Sequence, residues 1–514
     1  MSSGKPVSTV REVEHKFRVH GLFRIPDLST AASLSAVDDD GTIELEAAYY
    51  DTADLRLARE GMTLRRRTGG DDEGWHLKVP VAGTVETRDE LRLPLDAGDV
   101  GNPPPELLHT VRAVVRQSPV DLVATLRTTR RKLLLSGGSG EPAAELVDDT
   151  VSVVDGSGHV AARFRELELE ERDGAPAELV EEVTEALVGS GAIGGEFVSK
   201  AVRALGPQAA GASEVPEPGD VKPKDPARIA IRAHITRHTR AFRQADLAVR
   251  QDADDSVHQM RVAARRLRSG LRVFRPLLEP DWANALRDEL AWVASGLGRL
   301  RESEVLLTRL ESHLSGDAEA ARDVLLEELS GRMATARSHA LDMLGSDRYL
   351  ALHEALVSAS ASPATTEAAE KPARVVLPPL VAKAWKRLSK RAKALFADEE
   401  ATPAGAPDGD WHATRIAAKR ARYAAEAVAP ALGSEAAALA KQLSRVTEVL
   451  GEHQDAAQAA DLARELAADA EPTAAFALGM LYSTERGLVD TSRREFAALW
   501  PQASRRKWRR WLEP

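Results

Sequence analysis

Four short segments carry charge in steps of two: Glu12-x-Glu14-x-Lys16, Arg65-x-Arg67, Arg88-x-Glu90-x-Arg92 and Glu166-x-Glu168-x-Glu170. Successive side chains of a strand point to opposite faces, so each segment gathers its charges on one face. In the last segment Leu167 and Leu169 take the other face. A sheet with one face in water accounts for any one of these strands. Four or five of them closed into one barrel would put arginines, lysines and glutamates inside it. Such an interior is costly to desolvate without a charged ligand or trapped water. A polyanion on the basic groups and a hard divalent cation on the carboxylates would satisfy both sets. The chemistry such an interior would suit is phosphoryl transfer, which needs in-line geometry and neutralised phosphate oxygens.

A second pattern has helical spacing. His258, Arg261, Arg265 and Arg268 stand at positions 0, +3, +7 and +10, within an arc of about 80° on a helix. His412, Arg415, Lys419 and Arg422 repeat the spacing; Arg266 and Arg420 flank the stripes, and Arg272 extends the first. An ordinary solvated face mixes signs in i, i+4 pairs. No acid stands between the first and last residue of either stripe and each recurs with its histidine, which favours anion binding. The histidines, with arginines beside them, suit hydrogen bonds to an anion better than metal ligation.

The elements that position these residues follow from the rest of the chain. Its 514 residues suggest about three domains. With 43% hydrophobic residues it can bury cores. The net charge of −10 gives no global reason for nucleic-acid binding, but charge is segregated: six arginines and no acid run from His258 to Arg275. No apolar run is long enough for a transmembrane helix, the N-terminus has no apolar signal segment, and cysteine is absent. The expectation is a soluble cytoplasmic protein with no thiolate chemistry. Residues 1–206 read as short alternating strands broken by turn clusters such as Gly69-Gly-Asp-Asp, which suggests an antiparallel barrel or sandwich. Residues 207–226 read as a Pro-rich exposed linker, 227–357 as a helical bundle, 358–379 as a second linker and 380–514 as a second bundle. The bundles repeat each other. His258 to Pro276 aligns with His412 to Pro430 at an offset of 154, and Leu297-Gly-Arg-Leu-Arg-Glu with Leu450-Gly-Glu-His-Gln-Asp at 153. The fold class is α+β multidomain: an eight-stranded antiparallel barrel, then two duplicated four-helix bundles.

The first half resembles the CYTH domain, the triphosphate tunnel metalloenzyme family, over about residues 8–205. Glu12-x-Glu14-x-Lys16 looks like its ExExK signature. Tyr50-Asp-Thr, Arg65-x-Arg67, Lys78, Arg88-x-Glu90, Arg130, Glu145 to Asp149, Glu166-x-Glu168-x-Glu170 and Ser199-Lys200 follow in the family's order. The resemblance implies an eight-stranded tunnel that hydrolyses or rearranges triphosphates with Mg²⁺ or Mn²⁺. By position it implies that Lys16, Arg65, Arg67, Lys78, Arg88, Arg130 and Lys200 grip phosphate. It implies that Glu12, Glu14, Asp149, Glu166, Glu168 and Glu170 hold metal or orient water, with Glu166, Glu168 and Lys16 at the reaction centre. Arg127 or Arg131 could stand in for Arg130, and Asp148 for Asp149. Glu170 could equally be a salt-bridge partner.

The second half resembles the CHAD domain, the conserved histidine α-helical domain, over about residues 225–510. This implies two four-helix bundles around a basic groove that binds inorganic polyphosphate. Where that family commonly shows Arg-Asp-x-Asp, this chain has Arg301-Glu302-Ser-Glu304, whose acids suit orienting arginines. The tail Arg505 to Trp511 reads as a closing helix with its tryptophans inward. The expected function is metal-dependent hydrolysis of inorganic triphosphate beside a polyphosphate-holding module, in the cytoplasm or at polyphosphate granules. The alternatives are a non-catalytic polyphosphate-binding protein and an adenylate cyclase or thiamine triphosphatase. Nucleic acid is the weakest partner.

Overall fold

The computed structural model describes residues 8–81, 87–138, 141–172, 174–195, 199–396 and 406–513, apart from the side chains of Val10 and Glu12. The chain divides into two compact units at Glu214/Val215.

In the first unit, strands β1 (Ser8–Val19), β2 (Ala36–Asp51), β3 (Thr63–Thr68), β4 (Gly74–Pro80), β5 (Thr87–Leu93), β6 (Asp121–Ser136), β7 (Pro142–Val154) and β8 (Val160–Glu171) form an antiparallel ring. Short helices α1 (Arg56–Arg59), α2 (Pro105–Thr110) and α3 (Arg112–Val115) connect them. The ring closes because β1 is long enough to serve two partners. Ser8–Val13 pair with β5 and Glu14–Val19 with β8, while a two-residue β9 (Ile193–Gly194) adds to Phe17 and Arg18. Period-two alternation then sorts the side chains. Leu167 and Leu169 turn outward and are buried with Leu135 and Leu146 beneath helix α4 (Ala177–Gly189), whose Leu179, Val183 and Leu187 are fully buried. The charges on the opposite face are left inside. Helix α5 (Lys200–Leu205) packs Ala201 against Tyr49, Leu126 and Val151.

Residues 207–226 are less open than their composition suggests. Ala209 is buried against Leu55 and Ala58, so the Pro-rich stretch begins as packed chain.

The second unit is helical: α6 (Ala227–Arg250), α7 (Ser256–Val273), α8 (Pro280–Gly296), α9 (Gly298–Glu311), α10 (Arg322–Gly345), α11 (Asp347–Ala361), α12 (Ala373–Ala394), α13 (Asp408–Leu432), α14 (Ser434–Ala467) and α15 (Pro472–Ala503). The repeat is visible in the elements: α7 matches α13, and the pair α8–α9 matches the single long α14. The second expected linker is shorter than 358–379. Pro378 and Pro379 lie in the second turn of α12 rather than ending a helix. Each removes one ladder bond, from the carbonyls of Arg374 and Val375, and Val375 is 57% exposed, where water can replace it. The tail is a correction of another kind. It forms two separate 3₁₀ turns, Arg506–Trp508 and Arg510–Leu512, with Trp508 and Trp511 packed on the core. Among the described residues no helix is long and apolar enough to cross a membrane.

Candidate functional site

Inside the ring, neighbouring strands set opposite charges side by side. Lys16 is registered with Glu168, Arg130 with Asp149 and Lys78 with Glu90, while Glu14 stands opposite a like charge, Glu170. The side chains meet accordingly. Lys16 Nζ lies 2.6 Å from Glu168 and 3.1 Å from Glu14. Arg130 donates to both Asp149 oxygens at 2.8 and 2.7 Å and reaches Glu168 at 3.3 Å. Lys200, the first residue of α5, lies 2.6 Å from Glu168, 2.9 Å from Glu166 and 3.0 Å from Asp149. Lys78 stands between Glu90 at 3.8 Å and Glu14 at 3.9 Å, and Arg65 reaches Glu90 at 3.4 Å. A cavity of about 380 Å³ opens onto Glu14, Lys16, Arg65, Arg67, Lys78, Arg88, Arg92, Arg130, Glu168, Glu170 and Lys200.

Carboxylate oxygens of Glu14, Glu168 and Glu170 lie within 4.8 Å of one another, a hard-oxygen donor set of the kind Mg²⁺ or Mn²⁺ takes. Asp149 and Glu166 are not in that group. They face each other across β7 and β8, where Arg130, Lys200 and Arg203 engage them. The side chain of Glu12 lies outside the described residues; its backbone pairs with Arg88.

These contacts set the charge states. Burial pushes the Glu168 carboxyl up, but Lys16, Lys200 and Arg130 outweigh it and hold it well below the usual carboxylate range. Burial likewise opposes ionisation of Glu14, and Lys78 and Lys16 overcome it. Burial disfavours the Lys200 ammonium, yet Glu168, Glu166 and Asp149 keep it charged well above the ordinary lysine value. Arg67 is the exception. Burial, then Arg65 and Arg130, lower it to about 9 although its guanidinium pairs with Asp72, and its Nε has no hydrogen-bond partner among the described residues. The cavity holds more positive charge than its carboxylates neutralise.

In the helical unit α7 packs on α13, and the repeat reproduces its contacts. Arg261 donates to the Gly298 carbonyl at 2.6 Å and lies 3.8 Å from Glu302; at the matching positions Arg415 lies 3.7 Å from Asp455. Arg301 reaches Glu304 at 3.1 Å, so these acids orient arginines. Burial, then Arg415 and Arg265, lower Lys419 to about 7. A cavity of about 710 Å³ is lined by Arg265, Arg268, Arg272, Arg275, Lys383, Arg387, Lys419 and Arg420 and, among the described residues, by no acid. Other stripe residues face elsewhere. Arg266 and Arg422 pair with Glu426, His412 bonds to Gln454, and neither His258 nor His412 lines the cavity.

A CYTH domain model matches residues 10–205 and a CHAD domain model residues 233–464. Uncharacterized proteins of two Mycobacterium tuberculosis strains are 35% identical over 517 residues, covering 95% of both chains. This chain belongs to the CYTH–CHAD proteins. Among solved structures, PptA from Streptomyces chartreusis is 28% identical, covers 54% of this chain and 100% of its own, and superposes with a TM-score of 0.46. The CHAD domain from the plant Ricinus communis is 26% identical, covers 56% and 94%, and has a TM-score of 0.45.

Within the CYTH domain the strand register decides between neighbours. Arg130 faces the interior, whereas Arg127 pairs with Glu46 and Arg131 with Asp39 on the exposed side. Asp149 is fully buried and Asp148 instead pairs with Arg165. Sequence reasoning assigned no role to Arg203, which reaches Glu166 at 2.5 Å, although its spacing of three from Lys200 puts both on one face of α5. In the CHAD domain it missed Arg275, Lys383 and Arg387. The last two are an i, i+4 pair on α12, a segment whose start was obscured by Pro378 and Pro379.

Proposed function

We propose that the CYTH domain hydrolyses inorganic triphosphate with a bound Mg²⁺ or Mn²⁺, and that the CHAD domain holds inorganic polyphosphate. One observation carries the reading: a single small cavity combines nine cationic residues with the Glu14–Glu168–Glu170 donor set. A pure anion receptor gains nothing from carboxylates facing its ligand. Tyr49, itself 5% exposed, is the only aromatic among the described residues lining it, which offers a nucleobase no stacking surface. That favours inorganic triphosphate over nucleotide or thiamine triphosphate.

A divalent cation on the three glutamates would neutralise phosphate oxygens and acidify water. The chain supplies the rest. Arg65, Arg67, Lys78 and Arg88 bind the phosphate oxygens from one side, and Arg130, Lys16 and Lys200 from the other. Lys16 and Lys200 hold Glu168 ionised, so it stays a ligand rather than a proton carrier. Glu170, with its side chain 36% exposed, would hold the cation through one oxygen only, and its second oxygen is the one to take a proton from water attacking the terminal phosphorus. The bond to the bridging oxygen breaks, and orthophosphate and pyrophosphate leave.

The test is orthophosphate release from triphosphate, ATP, thiamine triphosphate and long-chain polyphosphate, each with Mg²⁺, Mn²⁺ or EDTA. EDTA-sensitive release from triphosphate is expected. No release from any substrate, with long polyphosphate still bound, would leave a binding protein.

A further inference from the structure

The duplication of the CHAD domain provides an internal control on its groove. At the offset of 154, Arg266 corresponds to Arg420, Arg268 to Arg422 and Arg275 to Ala429, but Arg272 corresponds to Glu426. That one exchange reverses a charge at the centre of the site, and the two halves differ accordingly. Around Arg272, Arg268 and Arg420 line the large cavity with Lys383 and Arg387, and no carboxylate among the described residues lines it. Around Glu426, the equivalents Arg422 and Arg266 form a closed cluster with it. Glu426 pairs with Arg266 and lies 2.8 Å from Arg422 Nε. Both guanidiniums lie against the Tyr423 ring, 4.8 and 6.0 Å from its centroid.

We infer that Glu426 is a built-in counterion that closes one half of the duplicated groove, so that polyphosphate engages the CHAD domain one-sidedly, through Arg268, Arg272, Lys383, Arg387 and Arg420. The inference rests on the polyphosphate reading proposed above. Arginine grips carboxylate and phosphate through the same fork of N–H donors, so a carboxylate lodged between two guanidiniums occupies the places a phosphate would take. An incoming chain would meet that negative charge and leave both arginines already satisfied. Arg272, at the same place in the other half, has the opposite problem. Burial, then Arg420, Arg287 and Arg268, disfavour its charge, and a bound anion relieves that repulsion.

The experiment is binding of long-chain polyphosphate to the full-length protein in EDTA across a salt series, for the wild type, Glu426→Gln, Glu426→Arg, Glu302→Gln and Arg387→Ala. Freeing two guanidiniums should admit about two more phosphates. Glu426→Gln is expected to bind about tenfold tighter near 0.1 M salt, with the slope of log K against log salt steeper by about 1–1.5. Glu426→Arg, which restores the residue of the first half, should go further and gives a second chance should the glutamine variant fold poorly. Glu302→Gln removes an acid that orients Arg261 and should bring no gain. Wild-type affinity in both Glu426 variants, with Arg387→Ala still weakening binding, overturns the inference and leaves the polyphosphate reading standing. Equal gains from Glu426→Gln and Glu302→Gln also overturn it, since mere loss of negative charge would then suffice. Binding indifferent to Arg387→Ala likewise overturns the inference, since the chain would then engage elsewhere, whereas no binding by the wild type defeats the polyphosphate reading itself.

Discussion

Lys419 gives the CHAD groove a pH dependence near neutrality that can be worked out in advance. Burial and the facing Arg415 and Arg265 lower its ammonium to about 7, whereas the arginines around it stay charged. A bound polyanion stabilises the ammonium, so binding takes up a proton whenever Lys419 is neutral beforehand. Below pH 7 the group is already charged and affinity should be flat. Above pH 7 each further unit costs up to tenfold, about 1.4 kcal/mol. Between pH 6 and 8 the charged fraction falls from about 0.9 to about 0.1, so the affinity for long polyphosphate should drop about tenfold. Asp455, the carboxylate that acts on Lys419, is raised by burial from an acidic starting value, against Arg415 and Lys419, and a long chain has few titrating ends. The assay is calorimetry at constant ionic strength in EDTA at pH 6, 7 and 8. Lys419→Arg, which fixes the charge and matches Arg265 of the first half, should flatten the profile. A flat wild-type profile, or an unchanged slope in Lys419→Arg, would refute the reasoning.

Three other outcomes are expected. Glu168→Gln should lower triphosphate turnover by about 10³-fold, several kcal/mol of charge stabilisation, while circular dichroism shows an intact fold; wild-type turnover would remove Glu168 from the metal set. Glu14, Asp149 and Glu168 have depressed folded-state values, so their contribution to stability is fully present above about pH 4 and is lost as pH falls through those values. The strand signal of the CYTH domain should therefore survive at pH 4 and collapse only in stronger acid, and collapse at pH 5 would contradict the pairing. In the CHAD domain a Cβ at Gly270 would meet Nε2 of buried His234 at 2.2 Å, whereas one at Gly296 meets the flexible Met343 sulfur at 2.4 Å. Gly270→Ala should cost about 1–3 kcal/mol in denaturant unfolding and Gly296→Ala clearly less; equal costs would mean that α6 and α7 can part freely.

What was legible in the sequence was mostly period and sign. Alternation placed Glu14 with Lys16 and Glu166 with Glu168 on one strand face, because a strand leaves its residues no other choice. The repeat gave α7 and α13 together. Depth and partners were not legible. Nothing in Glu166-x-Glu168-x-Glu170 says that Glu166 sits where Lys200 and Arg203 of α5 reach it while Glu170 stays near water, since that depends on the stagger of β7 and β8. Nor does a helical arc reveal that Arg266 and Arg422 meet over Glu426, because the pairing of Arg266 with Glu426 joins residues 160 apart. The histidines show the same limit. Their place in each stripe was clear, but whether they reach the cavity depended on how α7 crosses α13.

The two domains hold cations in physically different ways, and this should separate their ligands. In the tunnel Lys16, Lys200 and Arg130 each touch a carboxylate. A phosphate chain entering there competes with groups already in place, and the exchange becomes favourable when a divalent ion occupies the glutamates the lysines release. The large cavity of the CHAD domain has no such exchange to make. Burial first, then neighbouring arginines (Arg287 for Arg268; Arg420, Arg287 and Arg268 for Arg272), disfavour the charge of these two groups, and a polyanion offsets that cost without a metal. EDTA should thus abolish what the tunnel does and leave groove binding intact. Added salt should weaken the groove far more than the tunnel, because exposed unpaired charge is screened and buried paired charge is not.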